Sequence, residues 1–106
     1  MNARGVDLRE EDLLRMRGIF ARFSAIHDVR VFGSRATGEA RRASDIDLAV
    51  RAPSMSPGEW ARLRLDLEDA PIPYEVDVVN VDEVASASLL RAIEQTGVSI
   101  YNHAGL

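Results

Sequence analysis

The sequence predicts an α+β fold, a small mixed β-sheet with helices packed on one face, and three observations lead there. Short runs rich in β-branched and aromatic residues alternate with segments whose apolar residues recur at helical spacing, in the order helix, strand, strand, helix, strand, helix, strand. Two of the strands alternate acidic with apolar residues, the pattern of a sheet with one covered and one wet face. At 106 residues, 46% of them apolar, the chain holds one domain, residues 1–106, with enough apolar side chains for a packed core.

Each element follows from local chemistry. Leu13, Met16, Phe20 and Phe23 recur at helical spacing, predicting an amphipathic helix from Leu8 to Ser24 with Asp7 as its N-cap and Glu10 in the position of a capping box. Val29 to Phe32 is a short strand that ends at Gly33, and Ser34 to Ser44 is a polar loop containing one helical turn. Ile46 to Arg51 is the second strand. After the break at Pro53 and Ser54, Ser56-Pro57-Gly58-Glu59 opens a helix with a serine cap, a first-turn proline and a returning glutamate. Trp60, Leu63 and Leu67 give that helix an apolar stripe, and it stops before Pro71 and Pro73. Tyr74 to Val79 is the third strand. Asp82 caps a last helix whose Leu89, Leu90 and Ile93 face the core, Gly97 ends it, and Val98 to Tyr101 is a short edge strand.

Composition narrows the chemistry. A formal charge of −4 works against autonomous nucleic-acid binding, which requires clustered cations. All 13 basic side chains are arginine, so no mechanism needing a lysine amine applies. The absence of cysteine excludes disulfides, thiolate nucleophiles and cysteine zinc sites. The stretch MNARGVDLREED lacks the apolar region of a signal peptide, and no run is long enough to cross a bilayer. A cytoplasmic protein with no membrane contact is expected.

The second strand carries the main signal. Ile46, Leu48 and Val50 share one face, so Asp45 and Asp47 lie together on the other. In the third strand Tyr74, Val76 and Val78 take the apolar phase and Glu75 and Asp77 the wet one. If these strands are neighbours, Asp77 comes within reach of the Asp45–Asp47 pair. Like charges on one face repel unless a cation or proton intervenes. Converging carboxylates suit hard divalent ions, and magnesium in particular is held by one or two carboxylates plus substrate phosphates. A strand with a plain wet face shows the same alternation, so the motif gains its meaning from what stands upstream. There Gly33 lets the backbone approach a ligand closely, and the amides after it, with the Ser34 hydroxyl, can point at a phosphate. The segment is neither a P-loop nor a G-x-G-x-x-G turn.

Strand, Gly33-Ser34, loop, Asp45-Ile46-Asp47-Leu48, and a later lone Asp77 form a combination that resembles the polymerase-β nucleotidyltransferase superfamily. The wording FGSRATG…SDIDLAV is most similar to its minimal nucleotidyltransferases, the MNT proteins. The resemblance covers nearly the whole chain and implies a polymerase-β-like fold and transfer of a nucleotide from a triphosphate. It implies that Asp45 and Asp47 hold two magnesium ions, that Asp77 binds the catalytic one and helps activate the acceptor hydroxyl, and that Gly33 and Ser34 grip the triphosphate. Arg35 and Arg42 beside that turn are expected on phosphate. Family members often carry an arginine where Thr37 stands here, a loss that Arg41 or Arg42 can offset. The family further implies a HEPN-domain toxin as partner in a hetero-oligomer, with AMP passing from ATP to a tyrosine hydroxyl of that toxin. Two other readings stay open: an antitoxin that neutralises by binding alone, and a nucleotidyltransferase acting on a small molecule such as an aminoglycoside. His27 and His103 lack any ligand spacing, and Trp60, Tyr74 and Tyr101 read as packing residues.

Overall fold

The computed structural model describes residues 6–37 and 45–103. In chain order the elements are α1 (Glu10–Phe20), β1 (Asp28–Phe32), α2 (Ser34–Thr37), β2 (Ile46–Arg51), α3 (Pro57–Asp69), β3 (Val76–Asn80), a 3-10 turn (Val81–Glu83), α4 (Ala87–Thr96) and β4 (Val98–Asn102). The four strands form one sheet in the order β3-β2-β1-β4. β1 pairs antiparallel with both β2 and β4, whereas β2 and β3 run parallel, so the sheet is mixed as expected. The parallel pair needs a crossover, and α3 supplies it.

The core lies where the alternation places it. Val29 and Val31 of β1 and Ile46, Leu48 and Val50 of β2 are fully buried against Leu13, Met16 and Phe20 of α1 and Trp60, Leu63 and Leu67 of α3. In β4 the register slips by one residue opposite Val29 and Arg30, leaving Ile100 as a bulge. That bulge turns both Ile100 and Tyr101 toward the core, and the Arg17 Nε donates to the Ile100 carbonyl at 2.7 Å. α4 adds a contact on the far face of β1 and β2: its buried Ile93 lines a cavity of about 290 Å³ with Arg30, Ala49 and Arg51, while Leu89 and Leu90 stay half-buried.

Helix ends follow capping chemistry, with two departures from expectation. α3 begins as predicted: the Glu59 amide donates to Ser56 Oγ at 3.2 Å, and the Ser56 amide to Glu59 Oε1 at 3.0 Å. α1 starts at Glu10 with Arg9 at the N-cap position and no side-chain cap; Asp7 stands two residues too early for that role, and its amide donates to the Arg35 carbonyl at 2.8 Å. The first turn is held instead by Asp12, fully buried, which accepts from Arg9 Nε and Nη2 at 2.7 and 2.8 Å. The helix ends at Phe20, and Phe23 and Ile26 stay buried in the turns that follow. α4 is capped by Ser86, whose Oγ accepts from the Leu89 amide at 3.2 Å. Asp82 stands too early to cap it and belongs to the 3-10 turn, where its amide donates to Asn80 Oδ1 at 3.1 Å. Among the described residues no helix is long and apolar enough to cross a membrane.

Candidate functional site

Strand register builds the site. Asp47 stands directly opposite Phe32 on one side and Asp77 on the other. Neighbouring strands lie about 4.8 Å apart, so the Asp47 and Asp77 side chains are adjacent on one face. Asp45 precedes β2 and shares that face two residues along. The start of β2 is tied to the lead-in of β3 by the Ile46 amide, which donates to the Glu75 carbonyl at 2.8 Å. Asp45 and Asp77 are exposed and Asp47 is half-buried. Sequence alternation therefore finds the correct face for all three acids, and the structure brings them together at one end of the sheet.

The electrostatics agree with that placement. Burial pushes the Asp47 carboxyl above the usual aspartate range, and repulsion first from Asp77 and then from Asp45 pushes it further. None of the three forms an ion pair among the described residues. Nor are any three acidic or histidine side chains among the described residues gathered tightly enough to enclose a metal ion on their own. Among the described residues, then, the three acids are oxygen donors with no cationic partner. They fit Mg²⁺, which keeps several waters and completes its shell with substrate phosphates rather than with a full protein cage.

Gly33 adjoins the acids. Its φ of 74° lies in the left-handed region, and a Cβ there would stand 2.6 Å from Asp47 Oδ2. Glycine is needed twice over, for the turn and for the close approach. The Ala36 and Thr37 amides both donate to the Gly33 carbonyl, at 3.0 and 3.2 Å, closing the single turn of α2 with Ser34 at its first position. Ser34 is half-buried and Thr37 exposed.

Arg35, expected on phosphate, is nearly buried. It is only 5% exposed; its Nη1 donates to the Asp7 carbonyl at 2.8 Å, and its guanidinium lies 4.3 Å from the centroid of the Tyr74 ring. These contacts hold the side chain inward. Arg41 and Arg42 lie outside the described residues. Tyr74 packs against the core as expected and carries this cation–π contact as well, which no spacing announces. Phe32 beside Asp47 is a further neighbour that sequence reasoning passed over; since Val29 and Val31 take the core phase, alternation already puts Phe32 on the acid face. His27 and His103 are exposed, as expected.

Comparison with known proteins adds a family and a fold. A family model described as "Polymerase beta, Nucleotidyltransferase" matches residues 15–104. No curated protein sequence matches. Among solved structures, a toxin–antitoxin structure with AMP-PNP is similar with a TM-score of 0.69 and 24% identity over 92% of this chain and 77% of that one. The MntA–HepT toxin–antitoxin structure gives 0.66 and 19% over 92% and 75%. The structure of a tri-AMPylated Shewanella oneidensis HEPN toxin in complex with its MNT antitoxin gives 0.60 and 21% over 89% and 75%. At these identities the likeness is one of fold.

Proposed function

This chain belongs to the polymerase-beta nucleotidyltransferase family, and on that premise we propose that it is a protein adenylyltransferase acting as an antitoxin. It moves AMP from ATP to a tyrosine hydroxyl of a HEPN-domain toxin with which it forms a complex. One observation carries the reading: Asp47 and Asp77 stand opposite each other on parallel strands, with Asp45 on the same face and the Gly33 bend against the Asp47 carboxylate. The similar structures support the partner and the nucleotide, since one contains AMP-PNP and another an AMPylated HEPN toxin with an MNT antitoxin.

In the proposed reaction the acceptor oxygen bonds to the α-phosphorus of ATP. The bond from that phosphorus to the bridging oxygen breaks, and pyrophosphate leaves with the electron pair. Asp45, Asp47 and Asp77 would hold two Mg²⁺ ions, which when bound neutralise triphosphate charge and acidify the acceptor hydroxyl. Gly33 gives the triphosphate a close approach to the backbone, and Ser34 offers a hydroxyl to it. Asp77 is exposed on β3, an edge strand, so a hydroxyl presented by a partner can reach it and give up its proton there. Positioning and charge neutralisation dominate such chemistry, which is why so few residues suffice. The proposed use of ATP and of a toxin acceptor fits a cytoplasmic reaction carried by one minimal nucleotidyltransferase domain.

The test is to incubate the protein with ATP, Mg²⁺ and the HEPN protein, then weigh the partner intact. A gain of one or more adenylyl units is expected, lost in the Asp45→Asn, Asp47→Asn double variant. An unchanged partner mass, with neutralisation preserved in that double variant, would replace the enzyme by an antitoxin that acts through occlusion.

A further inference from the structure

We propose that Arg35 is a positioning residue that locks the Gly33-Ser34 turn to the strand bearing Asp77, rather than a ligand of the nucleotide. The inference rests on the nucleotidyl-transfer reading above and assigns one residue within it. Two segments meet on Arg35. The chain before α1 exchanges bonds with it in both directions: the Asp7 amide donates to the Arg35 carbonyl and Arg35 Nη1 donates to the Asp7 carbonyl, each at 2.8 Å. Val6 and Leu8 on either side of Asp7 are buried, so that segment is itself anchored in the core. On the other side the guanidinium stacks on Tyr74 at 4.3 Å. Tyr74 stands immediately before Glu75, whose carbonyl accepts from the Ile46 amide, and three residues before Asp77.

The consequence is mechanical. α2 has four residues and is too short to hold its own orientation. Its second residue fixes it from inside, through a guanidinium that donates to the Asp7 carbonyl while its plane lies on the Tyr74 ring, a pairing suited to arginine's planar group and not to lysine's ammonium. The turn that carries Gly33 and Ser34 is thereby set against the strand ends that carry Asp45, Asp47 and Asp77. A triphosphate bound across turn and acids needs that separation held to within about 0.5 Å.

The test is a double-mutant cycle on Arg35 and Tyr74, read by calorimetric binding of Mg²⁺·AMP-PNP. Arg35→Met and Tyr74→Leu should each weaken binding by about 10- to 100-fold, the range for residues that orient a binding group. The double variant should be no worse than either single one. Arg35→Lys should not rescue, and Tyr74→Phe, which keeps the ring, should bind like the unaltered protein. The opposite pattern overturns the proposal: Tyr74→Leu binding normally, Arg35→Lys restoring affinity as a point charge on phosphate, and additive effects. If Arg35→Met unfolds at the assay temperature, Tyr74→Leu against Tyr74→Phe decides alone. Failure of the unaltered protein to bind the nucleotide would instead overturn the proposed function, and Arg35's role with it.

Discussion

At the scale of single residues, Asp47 works against the fold it belongs to. Its folded carboxyl titrates above the unfolded aspartate, so between those two values the folded state retains a proton that the unfolded state has released. Stability conferred at this position therefore declines as pH rises through that window and stays reduced above it. Asp47→Asn removes the repulsion from Asp77 and Asp45. Measured by thermal unfolding in a chelator, it should melt higher than the unaltered protein at pH 7, with the gap narrowing toward pH 4, and it should be inactive. Equal melting at pH 7 would contradict the clustering of the three acids. Gly33 gives a second residue-scale prediction. Gly33→Ala places a Cβ in the left-handed region and against Asp47 Oδ2, which should cost about 1–2 kcal/mol in chemical denaturation. Transfer should fall by about 100-fold, because the misplaced group is itself part of the site. Both residues were legible in the sequence, Asp47 by alternation and Gly33 by its place after a strand. The inward contacts of Arg35 are not, because the orientation of a single-turn helix is set by what it touches, and its partners Asp7 and Tyr74 lie far along the chain.

At the scale of elements, the sequence carries strand phase more directly than helix capping, for a physical reason. Strand faces repeat every second residue, and four short strands packed on one core leave little freedom of phase. Helix caps depend on which polar side chain wins a given amide. Ser56 wins at α3 with proline and glutamate placed to help it. At α4 both Asp82 and Ser86 have suitable chemistry, and only Ser86 stands at the distance where its Oγ meets the Leu89 amide. The outcome is measurable. Ser86→Ala should lose about 1 kcal/mol of stability in urea unfolding, whereas Asp82→Ala should lose less than about 0.5 kcal/mol. The reverse order would return the cap to Asp82. At α1 no side chain caps the helix, and its first turn carries the buried Asp12 carboxylate paired with the Arg9 guanidinium.

Over the whole molecule, topology makes the site. Because β2 and β3 are parallel neighbours, their acid-bearing ends fall together, and because β1 is antiparallel to β2, its C-terminal end and Gly33 arrive at that same end. The mixed order β3-β2-β1-β4 thus gathers three carboxylates and the Gly33 turn from three strands. β3 lies at the edge, and in the proposed reaction the acceptor approaches from the Asp77 side. The sequence announced which residues would share a face; strand adjacency, which decided that Asp77 joins Asp45 and Asp47, was a condition the structure had to supply. The most direct measurement is an anomalous difference map from a crystal grown with Mn²⁺ and AMP-PNP. A manganese peak in contact with the Asp47 and Asp77 carboxylates, with the triphosphate against Gly33 and Ser34, is the predicted result. Nucleotide bound elsewhere, or manganese away from those carboxylates, would contradict the account.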